Sequence, residues 1–251
     1  MEICYKKPGE CNPFRCDLHL CINQDKKEKP IQKKIFEKNP DIICKTGHLI
    51  KSECRISANL IEWARAGDKN AQELFESTTF KAIVGEITRS LKASSILAFN
   101  GHYRSAMDLF RASIEVYVTA RYYDSFEDKN GNQWLEGEIS SPNFRHCLNH
   151  LRDTFAIPRE SYDEIDSIYG RLNKYVHPHA ASFSIAQEGC EKRCPVDGFY
   201  NNDLINEWFD HFQILMKWIL THYSLHVPRI LDDSETKELL ETASLCLFDK
   251  A

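Results

Sequence analysis

Apolar residues recur three or four positions apart along most of this chain, and residues 162–179, YDEIDSIYGRLNKYVHPH, show the pattern well. The apolar positions in this segment are Ile165, Ile168, Leu172 and Val176. Their spacing places them on one face of an amphipathic helix with a buried side. Because a proline disfavours the α conformation in the residue before it, Pro178 predicts that the helix ends near His177.

Two longer periodic segments come earlier in the chain and predict a helical hairpin. The first, TFKAIVGEITRSLKASSILAFN, begins at Thr78 or Thr79 and is stopped by Asn100 and Gly101. The second, HYRSAMDLFRASIEVYVTARYYD, starts directly after that glycine. Two helices joined by so tight a turn lie antiparallel, and we expect this pair at the centre of the core.

The remaining periodic segments predict further helices and an all-α fold. They are ISANLIEWARAGD, KNAQELFES, NFRHCLNHLRDTF, LINEWFDHFQILMKWILTHYSLHV and SETKELLETASLCLF. Residues 124–141 are acidic and rich in turn formers, which predicts a loop, and no segment alternates convincingly as a β-strand would. We therefore predict three regions: an N-terminal segment, residues 1–54; connecting helices, residues 55–77; and a helical bundle, residues 78–251.

Composition narrows the classes of function. Of the 251 residues, 42% are hydrophobic and 27% are charged, which is ordinary for a globular protein. The net charge of -5 argues against a broad basic surface for nucleic acid but allows a local basic site. No stretch reaches the roughly 20 apolar residues of a membrane span, and the sequence MEICYKKPGECNPFRC lacks the apolar core of a signal peptide. These features predict a cytoplasmic protein with no membrane partner.

The cysteines are concentrated in the N-terminal segment. Of the ten in the chain, six precede residue 55: Cys4, Cys11, Cys16, Cys21, Cys44 and Cys54. His19 and His48 lie among them, and a charged stretch containing Pro30 and Pro40 is typical of a connector. In a reducing compartment such crowding indicates metal ligation, with structural zinc as the first choice and an iron–sulfur cluster as the second. Ordinary reduced thiols are the competing interpretation.

The helix over residues 162–179 also carries polar side chains suited to phosphate chemistry. Arg171 lies six residues before His177, and Asn173 lies four before it, on nearly the same helical face. The negative end of the helix dipole favours the charged form of His177 and brings its titration towards neutral pH. Arginine and histidine placed in this way could hold a phosphate and transfer protons around it. The structural alternatives are a surface ion pair for Arg171 and, for His177, a helix-capping cation or a buried imidazole with its hydrogen bonds satisfied.

A charged strip follows the second helix of the predicted hairpin. Its members, three or four residues apart, are Arg104, Asp108, Arg111 and Glu115. One interpretation is a solvated face whose ion pairs contribute about 0.2 to 0.5 kcal/mol each. The other is that Arg111 and Glu115 face the helix carrying Arg171 and His177 and complete a polar site.

Two pieces of the sequence resemble the HEPN superfamily, the all-helical domains named for higher eukaryotes and prokaryotes nucleotide binding. The hairpin NGHYRSAMDLFRASIEVY is similar to the family's helix with a glycine turn, small residues, arginine and glutamate. The segment RLNKYVHP fits the family's arginine, four to six intervening residues, then histidine. Together they cover about residues 78–226. The resemblance implies an HEPN-like helical bundle to which a small Cys-rich segment has been added.

Many HEPN proteins are metal-independent ribonucleases of toxin or antiviral defence systems, and they act as dimers. On this resemblance the chain is a homodimeric endoribonuclease that binds RNA, needs no cofactor for catalysis and is restrained by a regulatory protein partner. The implied catalytic residues are Arg171, Asn173, His177, Glu115 and Arg111. His177 would move protons at the ribose 2'-hydroxyl or the leaving oxygen, Arg171 would bind the scissile phosphate, and Asn173 would orient one of them.

The segment RLNKYVHP also departs from the family's pattern. Leu172 occupies the position after the arginine, where active members often have a polar residue. On an ideal helix, six residues place Arg171 and His177 about 120° apart. The competing interpretation is therefore a catalytically silent HEPN-like module that binds a protein or nucleotide partner.

Overall fold

The computed structural model describes residues 29–126, 130–154, 159–176 and 199–248, and its regular structure is entirely helical. The all-α prediction is confirmed for these residues. In chain order the elements are α1 Lys29–Lys38, α2 Pro40–Arg65, α3 Lys69–Glu76, α4 Thr78–Ala82, a π-helical turn Ile83–Ile87, α5 Thr88–Phe99, α6 Tyr103–Asp124, α7 Asn130–Leu135, α8 Phe144–Asp153, α9 Arg159–Val176, α10 Asn202–His226, a 3-10 turn Pro228–Leu231 and α11 Ser234–Phe248. Within these ranges, no helix combines the length and apolar character needed to cross a bilayer.

The predicted hairpin is formed by α5 and α6, which pack against each other. Gly101 makes the turn with a φ of 79°, a left-handed conformation that other residues rarely adopt. A Cβ at this position would lie 2.4 Å from the backbone oxygen of Phe199. The amide of Phe199 in turn donates to the carbonyl of Gly101 at 3.3 Å. Only glycine therefore allows both the turn and this close backbone approach.

A buried hydrogen-bonded chain ties the hairpin to α10. The indole Nε1 of Trp208 donates to Ser94 Oγ at 2.8 Å, and that hydroxyl donates to the carbonyl of Ala106 at 2.7 Å. The Trp208 ring also packs edge-on against Phe99, with ring centroids 5.5 Å apart. Because these groups are fully buried, each polar atom needs the partner it has. The core is thus centred on α5, α6 and α10.

The last residue of α6 caps the N-terminus of α4. Asp124, the last residue of α6, accepts hydrogen bonds from the backbone amides of Thr78 at 2.7 Å and Thr79 at 2.9 Å. These amides belong to the first turn of α4, where backbone donors have no partner within the helix. The π-helical turn then joins α4 to α5 without a break.

The structure differs from the predicted connector at the N-terminal side. Apart from Asn39, residues 29–54 are helical, and α2 continues through Cys54 to Arg65, so the boundary expected near residue 54 falls inside a helix. Ile43 and Leu49 of α2 are buried in the same core as the hairpin. The prolines that suggested a connector stand in the first turns of α1 and α2, where their missing N–H removes no helical bond.

One buried carboxyl group links α2 to α10. Glu53 is only 2% exposed, and its side chain accepts hydrogen bonds from the hydroxyls of Ser57 at 2.7 Å, Thr88 at 3.0 Å and Tyr223 at 3.1 Å. Burial raises the pKa of Glu53, and these hydrogen bonds partly oppose the rise.

The expected loop over residues 124–141 contains a short helix, α7. Gly131 of α7 is buried against α4, and a Cβ there would lie 2.0 Å from Thr78 Oγ1. This tertiary contact holds a segment that the local sequence would leave irregular.

Candidate functional site

Helix α9 positions the residues that the sequence singled out. Ile165, Ile168 and Leu172 are buried and attach the helix to the core, as the periodicity predicts. Arg171 lies on the exposed side, whereas Asn173 is half-buried. Two residues correspond to about 200° of helical rotation, so these side chains leave α9 in nearly opposite directions.

Arg111 and Glu115 contact α9 through a tyrosine. The Arg111 guanidinium lies 2.8 Å from the Glu115 carboxylate, and it donates to the Tyr169 hydroxyl at 3.1 Å. That hydroxyl donates to Glu115 at 2.7 Å, which closes a three-membered network between α6 and α9. The Tyr169 ring stacks on Phe144, with ring centroids 3.7 Å apart. Arg111 and Glu115 therefore form an intrahelical ion pair and also face α9.

The charges of this network support one another. Burial, followed by donation to Glu115, raises the pKa of Tyr169, so its hydroxyl keeps the proton that it donates. Burial opposes the positive charge of Arg111, but the Tyr169 hydrogen bond and the Glu115 charge outweigh it and raise the pKa of Arg111. The arrangement suits a fixed support for α9 better than a proton-transfer pair.

A second polar group lies between α9 and α10. The Tyr175 hydroxyl donates to the Glu207 carboxylate at 2.5 Å, and His211 Nε2 lies 3.8 Å from the other oxygen of that carboxylate. Burial and the bond to Glu207 raise the pKa of Tyr175. His211, then Tyr175 and the nearby charge of Arg171 lower the pKa of Glu207, although burial opposes them.

His211 is the functional candidate that the sequence pattern missed. It is 1% exposed, it lies against the Phe110 ring, and neither ring nitrogen has a hydrogen-bond partner among the described residues. The pattern of α10 predicts only an apolar packing face. A usable signal was the pair Glu207 and His211, a carboxylate and an imidazole one turn apart among apolar residues.

The structure brings some of the predicted catalytic residues together and not others. Arg111, Glu115 and Tyr169 form one group, and Arg171 is close enough to influence Tyr175 and Glu207. The side-chain oxygen of Asn173 is buried and has no hydrogen-bond partner among the described residues. His177 follows α9 directly in the sequence but lies outside the described residues.

The predicted metal ligands fall into two classes. The first class lies outside the described residues, as does His19, and consists of Cys4, Cys11, Cys16 and Cys21. Cys44 and Cys54 both lie on α2, where ten residues separate them by about 15 Å. Two thiolates on one zinc ion cannot be more than about 5 Å apart, because each Zn–S bond is about 2.3 Å. These two cysteines therefore do not share an ion.

The pKa values of Cys54 and of the nearby His48 are shifted by their surroundings. The protein atoms around the exposed Cys54, followed by the adjacent charge of Glu53, raise the pKa of its thiol to about 11. Burial, followed by the charge of Lys51, lowers the pKa of His48. In the part of the chain that is described, no three His, Cys, Asp or Glu side chains are grouped to hold a metal ion. The zinc site stays a prediction, and four of its six cysteines lie before residue 29, outside the described residues.

Comparisons with known proteins supply no identity for this arrangement: no family model, curated protein or solved structure matches the chain.

Proposed function

We propose that this chain is a HEPN-like, metal-independent endoribonuclease that cleaves RNA through the ribose 2'-hydroxyl and acts as a toxin or antiviral defence effector. The observation that carries the proposal is the position of Arg171. Its guanidinium is exposed on the C-terminal half of α9, next to the hydrogen-bonded pair Tyr175 and Glu207 and less than two turns before His177. An exposed guanidinium can bind a phosphate while its helix stays packed on the core.

In the proposed reaction His177 removes the proton of the 2'-hydroxyl, whose oxygen attacks the adjacent phosphorus. The 5' oxygen leaves as it receives a proton, and the product is a 2',3'-cyclic phosphate. Arg171 neutralises the charge that develops on the phosphate oxygens. In a homodimer the second copy of His177 would donate the proton to the leaving oxygen. One His177 would then act as the base and the other as the acid.

The other predicted residues have positioning roles in this proposal. Arg111 and Glu115 hold the Tyr169 hydroxyl and thereby fix the rotation of α9 about its axis. Asn173 has a side-chain carbonyl oxygen with no partner in the part of the chain that the structure describes, on the same face as Tyr169 and one turn towards His177. Loss of the Arg111–Glu115 pair, or of Asn173, would misplace the residues that react without removing any of them.

The test is RNA cleavage, in a chelating buffer, by the wild type and by His177→Ala, Arg171→Ala and Arg89→Ala. Arg89 is the matched control, an exposed arginine of α5 that forms an i,i+3 ion pair with Glu86. We expect His177→Ala to lose about 10²- to 10⁴-fold in rate and Arg171→Ala about 10²- to 10³-fold, while Arg89→Ala keeps full activity. A substrate with 2'-deoxyribose at the cleaved position should be inert.

Equal cleavage by all four proteins, or products without cyclic-phosphate ends, would contradict the proposal. Cleavage that ceases in the chelator would contradict its metal independence.

A non-catalytic binding module is the second candidate, and three exposed leucines favour it. Leu225 of α10, Leu231 of the 3-10 turn and Leu245 of α11 are 75%, 56% and 53% exposed, and the three elements pack against one another. Large contiguous apolar patches mark protein-binding surfaces, so a patch formed by these leucines would favour a binding role. If wild-type chain cleaves no RNA while Leu225→Ser abolishes self-association in light scattering, the module interpretation replaces the enzyme.

A further inference from the structure

Arg104 belongs to the charged strip on α6 but has no part in the reaction proposed above. It is exposed, and among the described residues it forms no ion pair, not even with Asp108 one turn away. Seven residues separate it from Arg111, so the two side chains leave α6 within about 20° of the same direction. Because Arg111 donates to Tyr169 of α9, Arg104 lies on the side of α6 that faces α9.

The directions of the helices show which end of α9 lies beside Arg104. Phe110 of α6 contacts His211 of α10, with ring centroids 6.1 Å apart. Further along both helices, Tyr117 stacks on Trp218 with ring centroids 6.2 Å apart. The residue numbers rise together in these two contacts. Helices α6 and α10 therefore run parallel.

Helix α9 runs in the opposite direction. Near its start, Glu164 accepts a hydrogen bond from the indole of Trp218 at 2.9 Å. Near its end, the Tyr175 hydroxyl donates to Glu207, which comes earlier in α10. The numbers rise on α9 as they fall on α10. The C-terminal end of α9 therefore lies at the same end of the bundle as the start of α6.

Arg104 is level with the last residue of α9. Arg111 contacts Tyr169, so these two residues are level with each other. Seven residues back along α6 lead to Arg104, and seven residues forward along α9 lead to Val176, the last residue of that helix. Each path is about 10.5 Å long, since an α-helix rises about 1.5 Å per residue. The Arg104 guanidinium is thus beside the end of α9.

Two exposed cations of α9 continue from Arg104 around the same end. Relative to Tyr169, which faces α6, Lys174 is rotated by about 140° and Arg171 by about 200° about the helix axis. Both side chains are exposed, and Lys174 lies between Arg171 and the side that faces α6. No acidic residue occurs within residues 167–176. Positive charge therefore follows the exposed surface of α9 from Arg171 towards Arg104.

We propose that Arg171, Lys174 and Arg104, which we call the basic track, bind successive phosphates of one RNA strand. The inference rests on the proposed ribonuclease function, in which Arg171 holds the scissile phosphate, and it assigns neighbouring phosphates to Lys174 and Arg104. An α-helix is about 10 to 12 Å across with its side chains, so the strand must bend closely around its end. A duplex stays straight over about 150 base pairs. The basic track therefore selects a single strand.

Fluorescence anisotropy of the whole chain with a labelled single strand of about eight nucleotides tests the basic track. Methyl groups on the 2' oxygens of this strand block the proposed attack, so binding is measured without cleavage. We expect Arg104→Ala and Lys174→Ala each to weaken binding about three- to tenfold. Each should also reduce the slope of log affinity against log salt by about 0.7, the value for one phosphate contact on a single strand.

Two further variants separate a phosphate contact from a structural effect. Arg104→Lys keeps the positive charge and should keep most of the affinity and the salt slope. Arg89→Ala removes the charge of an exposed arginine on α5 and should change neither. A duplex of the same sequence and a glutamate peptide of equal charge should both bind at least about tenfold more weakly than the single strand.

The basic track is overturned if the wild type does not bind the single strand, or if the duplex or the peptide binds equally tightly. Equal behaviour of Arg104→Ala and Arg89→Ala would also overturn it, even if the wild type cleaves RNA. The opposite result is distinguishable. If Arg104→Ala weakens binding as expected but unmodified RNA stays intact with the wild type, the basic track stands and the ribonuclease proposal fails.

Discussion

Replacing Glu53 with glutamine should change how stability depends on pH. Glu53 is buried beneath three hydroxyl groups, and burial raises its pKa in the folded chain above the value it has when unfolded. A carboxyl group whose pKa is higher in the folded than in the unfolded chain contributes to the free energy of unfolding. That contribution is fully present below the pKa of the unfolded chain and is lost as the pH rises through the pKa of the folded chain. Glutamine imitates the neutral acid, since its amide group can donate to Thr88 where the protonated carboxyl would.

The magnitude follows from proton linkage. Between the unfolded pKa of about 4.3 and the higher folded pKa, the wild type should lose about 1.4 kcal/mol of unfolding free energy per pH unit relative to Glu53→Gln. Above the folded pKa the difference should stay constant. Below pH 4 the two proteins should agree within about 1 kcal/mol, because both then bury a neutral group.

Urea unfolding followed by circular dichroism at several pH values between 4 and 8 measures this difference directly. Glu62→Gln is the control, because Glu62 is an exposed glutamate on the same helix, α2. Subtracting the wild-type free energy from that of each variant removes the titration of every other group. A Glu53→Gln difference that is flat over this range, or that favours the wild type as pH rises, would refute the reasoning.

Three further substitutions test contacts of the fold and of the candidate site, each by urea unfolding. Tyr169→Phe keeps the stacked ring but removes the hydroxyl shared by Arg111 and Glu115, and we expect a loss of about 1 to 2 kcal/mol. Gly101→Ala places a Cβ 2.4 Å from a backbone oxygen at a positive φ, so the loss should exceed about 1 kcal/mol. Asp124→Ala leaves two helix amides without their acceptor and should lose about 0.5 to 2 kcal/mol. Unchanged midpoints would contradict the corresponding contact.

Much of the fold could be predicted because its helices are specified locally. The turn at Gly101 and the apolar periodicity on both sides of it predict α5 and α6 directly. Helices α1 and α2 could not be predicted in the same way, since Pro30 and Pro40 are read equally well as breaks or as first-turn residues. Only the burial of apolar side chains such as Ile43 decides between these readings.

The candidate sites were less predictable because their contacts are distant in sequence. Tyr169 meets Glu115 across 54 residues, and Tyr175 meets Glu207 across 32, so no local spacing indicates either pair. The charged strip on α6 did suggest that Arg111 and Glu115 face α9.

The π-helical turn between α4 and α5 gives this chain one place where its length can change. A π turn holds one residue more than the matching α turn, yet the helices on either side continue in line. Gly85 lies in this turn, exposed and with open space around its Cβ position. Deleting it would restore a regular α-helix and leave the buried faces of α4 and α5 in register, whereas a deletion elsewhere in the run would rotate one face by about 100°. Homologous chains shorter by one residue here should therefore keep the same core.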